Sequence, residues 1–231
     1  MRMRVTVVTV ALLMATPLFA QERGQGGEDA RGYVSGLGGF STSVGNTTGD
    51  MRIEGGVRIA PHVMVFANVG RFGNLQADLQ PTLDATTAAL AANQGLGVTG
   101  GGSLDAWYGS GGLRVEVPTR SRAMPYVLGA VGRARLNPGA QFFFASGTLP
   151  DGTTPSVGSD VTAPLVAAGS VSIPSVSTAT MVTLGGGVQV PVVGHWVADA
   201  GYRYSRIAAV STLSASPLNA NGMSFGLGYR F

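Results

Sequence analysis

Cysteine and lysine are absent from the 231-residue chain, and charge of either sign is scarce: 12% of residues are charged, and all 15 bases are arginine. Without cysteine there is no disulfide framework and no thiolate metal site. The only histidines are His62 and His195, and two isolated imidazoles cannot furnish the three or four ligands of a metal centre. No cofactor is implied. Soluble domains of this size carry about 25% charged residues, so the shortage points away from an ordinary cytosolic fold. Long apolar runs are missing too: outside the N-terminus no stretch reaches the roughly 18 residues of a membrane-spanning helix. What is plentiful is glycine, 36 residues of it, with a mean hydropathy of +0.25. Apolar residues spread at period two rather than in blocks are what a transmembrane β-barrel shows. The competing reading is a secreted β-sandwich. The net charge of +3 gives a pI near 9.7. Two of its bases, Arg2 and Arg4, lie in a segment expected to be removed, and no basic cluster interleaves with aromatics, so nucleic acid is not an expected partner.

Residues 1–20 have the form of a signal peptide: Arg2 and Arg4, an apolar stretch over 5–15, then Thr16, Pro17 and a small residue at Ala20. Cleavage is expected between Ala20 and Gln21. Eleven apolar residues are too few to span a bilayer, and no cysteine follows them for lipidation. Residues 21–31 read as a polar lead, and 32–231 as the folded domain.

Eight strands are predicted over 33–41, 51–60, 63–72, 105–117, 125–136, 178–190, 196–207 and 222–231, most of them near the 9–11 residues of a tilted transmembrane strand. Long gaps (42–50, 73–104, 137–177, 208–221) alternate with short ones (61–62, 118–124, 191–195). Alternation of this kind separates long extracellular loops from short periplasmic turns, and an even strand count leaves both termini on the short-turn side. The fold class is therefore all-β, an antiparallel up-and-down transmembrane barrel of eight strands. Residues 141–146 and 165–173 are also strand-like, which leaves ten strands as the alternative. Residues 84–93 suit a short helix stopped by Gly95.

Alternation within the strands assigns faces. In the last strand Met223, Phe225, Leu227, Tyr229 and Phe231 share one face, with Ser224, Gly226, Gly228 and Arg230 on the other. The same rule turns Trp196, Tyr202 and Tyr204 outward and Asp199 and Arg203 inward. It turns Met51, Ile53 and Val57 outward and Arg52, Glu54 and Arg58 inward, and Trp107 and Leu113 outward with Arg114 and Glu116 inward. In the fifth strand Tyr126, Leu128 and Ala130 are expected outside, with Arg133 and Arg135 inside. The parity of strands 33–41 and 63–72 is not legible. An arginine at the bilayer midplane costs about 2–4 kcal/mol, which motivates an interior ion-pair network of Arg52, Glu54, Arg58, Arg114, Glu116, Arg133, Arg135, Asp199, Arg203 and Arg230. Trp196, Tyr126, Tyr229 and Phe231 near one end, and Trp107 near the other, are placed for interfacial girdles.

The closing segment, with Phe225, Leu227, Tyr229 and Phe231 and ending Tyr-Arg-Phe, resembles the signal read by the outer-membrane assembly machinery. The opening strand Gly-Tyr-Val-Ser-Gly-Leu-Gly-Gly-Phe (32–40) resembles the first strand of the opacity-protein and OmpA-like barrels. The resemblance implies a small outer-membrane barrel. Contact with the lipid bilayer and lipopolysaccharide and a monomeric state are expected, and no peptidoglycan-binding domain is expected to follow the barrel.

Three functions follow as expectations. An eight-stranded barrel is filled by its own side chains, which favours a structural or surface-interaction role carried by the long loops, with Phe142, Phe143 and Phe144 as a contact patch. Those loops hold Asp78, Asp84, Asp151 and Asp160 and no base, which argues against adhesion to polyanions. The second function is a small channel, leaning to anions because seven interior arginines face three carboxylates. The third, a lipid-acting enzyme, needs a histidine near the outer rim beside a nucleophile or acid. Both histidines fall in short turns, so no enzyme activity is expected.

Overall fold

The computed structural model describes residues 30–43, 46–75, 79–210 and 216–231. The signal peptide, its cleavage site and most of the polar lead lie outside them. Eight strands run in chain order: β1 (Gly32–Ser43), β2 (Asn46–Ala60), β3 (Val63–Phe72), β4 (Gly97–Glu116), β5 (Met124–Ser146), β6 (Ser177–Val193), β7 (Trp196–Ile207) and β8 (Leu218–Arg230). Each pairs antiparallel with its sequence neighbours, and β8 returns to β1, so the sheet closes into a barrel. The number is eight, not ten. Residues 141–146 continue β5, and the strand-like stretch 165–173 instead falls across the end of helix α2 (Thr162–Ala167).

The short turns are tight for local reasons. Pro61 and His62 link β2 to β3, with His62 in the left-handed region at φ 64°. Gly194, at φ 55°, and His195 link β6 to β7. At the other end the strands run further than their alternation suggested, so β1 and β2 are separated by only two residues.

The hairpin β4–β5 outgrows the barrel. β3 pairs with β4 only as far as Ala106, and β6 pairs with β5 only as far as Leu136, but β4 and β5 stay paired from Asp105↔Asn137 out to Gly97↔Ser146. The protruding ribbon is covered by helix α1 (Leu79–Gln94) and by α2. Gly95, at φ 63°, ends α1 as a stop, and its N–H still donates to Ala91 O at 3.1 Å. Close approach of α1 requires glycine at position 100, where a Cβ would stand 3.3 Å from Leu83 Cβ and Thr87 Cγ2. Together these elements enclose a second apolar core of Leu83, Leu90, Val98, Phe142, Phe144 and Leu165, among others. It lies on the ribbon face that continues the lumen wall, the even-numbered face of β4 and β5.

Outside, the wall is apolar. Met51, Ile53, Val131, Leu184 and Leu227 are all more than half exposed, and the outer positions of β1, β2 and β8 carry no charged side chain. β1 turns Tyr33, Ser35 and Leu37 inward; β3 turns Met64, Phe66 and Asn68 inward.

Candidate functional site

Among the described residues, polar side chains concentrate in the lumen, and a separate apolar core lies in the head built on the β4–β5 ribbon. The lumen is filled in layers. Nearest the short turns, Glu116 bridges Arg58 (3.3 Å) and Arg230, while Arg230 Nε donates to Gln189 Oε1 at 3.2 Å. Gln189 Nε2 donates to Asp199 Oδ2 at 2.7 Å, and the Tyr126 hydroxyl donates to Asp199 Oδ1 at 2.8 Å. Above them lies Arg114, wholly buried, its guanidinium carbon 3.6 Å from the Tyr126 ring centre and 4.8 Å from that of Tyr33. Its charge faces Glu54, Glu116 and Asp199, each at 3.8 Å. That separation exceeds a hydrogen bond, and the guanidinium nitrogens of Arg114 have no hydrogen-bond partner among the described residues. Coulomb attraction and the faces of two aromatic rings hold it in place.

Glu54 is held from two sides. The Tyr33 hydroxyl donates to Oε1 at 2.6 Å, and Arg203 donates to Oε2. One layer further out, Arg52 donates to Asp50 Oδ2 at 2.7 Å and to the Ser224 hydroxyl, and the Tyr108 hydroxyl donates to Asp50 Oδ1 at 3.1 Å. Beside this layer is a lumen cavity of about 10 Å³, lined by Asp50, Arg52, Asn68, Arg203 and Ser205, room for about one water centre. Beyond it an apolar stopper of Phe72, Leu75, Leu136, Met181, Ile207 and Leu218 fills the mouth.

Of the ten residues expected to form the interior network, eight line the lumen: Arg52, Glu54, Arg58, Arg114, Glu116, Asp199, Arg203 and Arg230. Arg133 and Arg135 do not. Tyr126, Leu128 and Ala130 are buried inside, and Arg133 and Arg135 stand exposed on the outer face, so the expected parity of the fifth strand is reversed. Both arginines sit near the long-loop rim, where an outward arginine costs about 0–1 kcal/mol rather than the midplane penalty. Asp50 is a lumen residue the strand boundaries excluded. Its signal was the two-residue spacing to Arg52 and Glu54, had β2 been extended backwards. The inner balance among the described residues is therefore five arginines against four carboxylates, not seven against three.

The aromatic tract is also corrected. Phe142 and Phe144 are 2% and 3% exposed inside the head core and are not a contact patch; Phe143 bridges to Asp160 along the edge of β5. The head's exposed acids are tied locally. Thr153 holds the Asp151 carboxyl below the usual carboxylate range through its hydroxyl (2.7 Å) and its N–H (2.9 Å). Hydrogen bonds from Thr162 do the same for Asp160. His62 and His195 are exposed in the short turns, His195 tilted against Tyr229 with ring centres 5.5 Å apart. Among the described residues no group of three or more His, Cys, Asp or Glu is arranged to hold a metal ion.

Comparison with solved structures then fixes the architecture. Neisserial surface protein A superposes over 87% of this chain and 98% of its own, with 18% identity and a TM-score of 0.55. The fold is that of a small eight-stranded outer-membrane β-barrel, the one implied by the resemblance to the opacity-protein and OmpA-like group. A major outer-membrane protein of Thermus thermophilus matches at 10% identity over 87% of this chain and 99% of its own (TM-score 0.46). OprG of Pseudomonas aeruginosa matches at 12% over 89% and 98% (TM-score 0.42). No family model and no curated protein sequence matches the chain.

Proposed function

We propose that the chain is an integral outer-membrane protein whose barrel is a closed scaffold and whose ribbon-borne head acts at the cell surface. The observation that carries this is the outer wall. Residues such as Met51, Ile53, Val131 and Leu227 form an exposed apolar belt around a charged interior, whereas water-soluble proteins keep contiguous apolar patches small. Lipid is the solvent that suits such a wall. On this reading residues 1–20 direct export and are cleaved after Ala20, and the assembly machinery reads Phe225, Leu227, Tyr229 and Phe231. The barrel works as a monomer against bilayer and lipopolysaccharide.

The channel alternative rested on an arginine surplus. With Arg133 and Arg135 outside and Asp50 inside, that surplus falls to one, and the apolar stopper lies across the path. The enzyme alternative has no histidine at the outer rim to support it, since His62 and His195 both lie in short turns. The test is a pair of measurements on the refolded full chain. A barrel of this kind migrates faster on gels before boiling than after, and its planar-bilayer trace stays silent. A water-soluble chain with no heat shift would remove the membrane reading. Regular conductance steps would remove the closed scaffold and restore the channel.

A further inference from the structure

The reversal of β5 leaves a basic arc on the lipid-facing wall. Arg71 on β3, Arg133 and Arg135 on β5 and Arg206 on β7 all point outward and are exposed. They share a level. Arg71 is eight residues beyond Val63, Arg133 and Arg135 are nine and eleven beyond Met124, and Arg206 is ten beyond Trp196, each counted from the short-turn end of its strand. At about 3.3 Å per residue and a tilt of about 40° this is a rise of roughly 20–28 Å, against an apolar band about 25 Å tall. The arc thus lies where the headgroups of the outer leaflet begin.

One member is already engaged: Arg71 pairs with Asp105 at 2.8 Å and lies over Trp107 at 5.8 Å. Arg133, Arg135 and Arg206 have no hydrogen-bond or ion-pair partner among the described residues. Across the sheet Arg133 is paired with Thr180 and Arg135 with Thr178, while Arg206 is paired with Val182, two positions from Thr180 on the same outward face of β6.

Toward the short-turn end the same wall is hollow. A groove of about 490 Å³ runs over β4, β5 and β6, lined by Gly111, Leu113, Val127, Gly129, Val131 and Leu184. It is an open depression, floored where Gly111 and Gly129 turn outward without a side chain. Its upper rim, Val131, is two residues below Arg133 on the same strand.

Cationic donors above an apolar groove match one kind of molecule. We propose that Arg133, Arg135 and Arg206 with Thr178 and Thr180 hold the phosphate monoester of a membrane lipid, and that one acyl chain of that lipid lies in the groove across Gly111 and Gly129. Guanidinium groups bind such a phosphate through paired, charge-assisted hydrogen bonds. The proposal rests on the membrane-embedded reading.

Tryptophan fluorescence provides the test, because Trp107 is paired directly with Arg135 whereas Trp196 lies at the opposite end of the barrel. The full-length W196F chain is placed in phosphatidylcholine nanodiscs containing either phosphatidic acid or further phosphatidylcholine, each brominated on its acyl chains. The expected result is stronger quenching of Trp107 by brominated phosphatidic acid. The R133Q/R135Q pair should weaken that preference about tenfold, as for the loss of one charge-assisted hydrogen bond. Gly129→Leu should fill the groove and abolish the acyl contribution. A Cβ there meets only Leu184 Cδ2, at 3.6 Å, so the backbone accepts it. Inorganic phosphate should compete poorly with the lipid. Equal quenching by the two lipids, or a preference retained in R133Q/R135Q, overturns the site. Competition by inorganic phosphate as strong as by lipid overturns the groove. Heat-modifiable migration of each variant keeps these outcomes apart from failure of the barrel: a chain that never shows it refutes the membrane reading itself.

Discussion

Arg114 carries its charge without a hydrogen bond, held by two ring faces and three carboxylates at 3.8 Å. Removing a charge from such a cluster leaves its partners buried and uncompensated, at a cost of about 3–5 kcal/mol. Arg114→Leu, which leaves Asp199 buried without an ion pair, is expected to lower barrel stability by that order, read as the urea midpoint in detergent. Glu54→Leu should cost as much, because it takes the carboxylate from Arg203 and the acceptor from the Tyr33 hydroxyl together. Arg114→Lys tests the ring contribution: it keeps the charge but loses the planar cation between Tyr33 and Tyr126, so a smaller loss is expected. Arg133→Leu is the control with the opposite outcome. An outward arginine near the interface costs about 0–1 kcal/mol in lipid, so its removal should leave the midpoint unchanged or slightly raised. A large loss there would place Arg133 back in the lumen.

Among the strands, period two made most faces legible. β2, β4, β7 and β8 alternate charge or glycine against large apolar residues, and their faces follow directly from sequence. β1 did not yield because glycine and small residues sit on both sides of the alternation, as at Gly36, Gly38 and Gly39, and β3 because large apolar residues do, as at Val65, Phe66 and Val69. β5 misled because midplane energetics were applied to residues at the rim. The head stayed hidden for a different reason: its core depends on α1, β4, β5 and α2 meeting, which no local window reveals. Glycines sort by the same faces. At Gly112 a Cβ would collide with the backbone of Gly129 and Ala130, whereas at Gly36 it meets nothing within 4 Å. Gly112→Ala should therefore depress the unfolding midpoint clearly, and Gly36→Ala should be tolerated. Phe142→Ala, which opens the head core, should cost about 3–5 kcal/mol within the head alone. Proteolysis between 147 and 176 should then accelerate while the heat shift of the barrel persists.

At the scale of the whole molecule, the apolar stopper of the lumen underlies the proposed closed barrel. A silent conductance trace is expected even in Phe142→Ala, since the stopper of Phe72, Met181 and Ile207 belongs to the barrel rather than the head. The closure that makes this possible also governs how the molecule is made. Val34 and Tyr229 are paired neighbours across the β1–β8 seam, separated by 195 positions of chain, so the final seam carries a large loop-closure entropy and a high contact order. Until β8 arrives, every partly assembled sheet presents two bare edges, and edges of this kind recruit other chains. Assembly is thus a race between one late, long-range pairing and many early, intermolecular ones. Lowering chain concentration should favour the seam, while weakening β1–β8 contacts should reduce yield before it reduces the stability of barrels already closed.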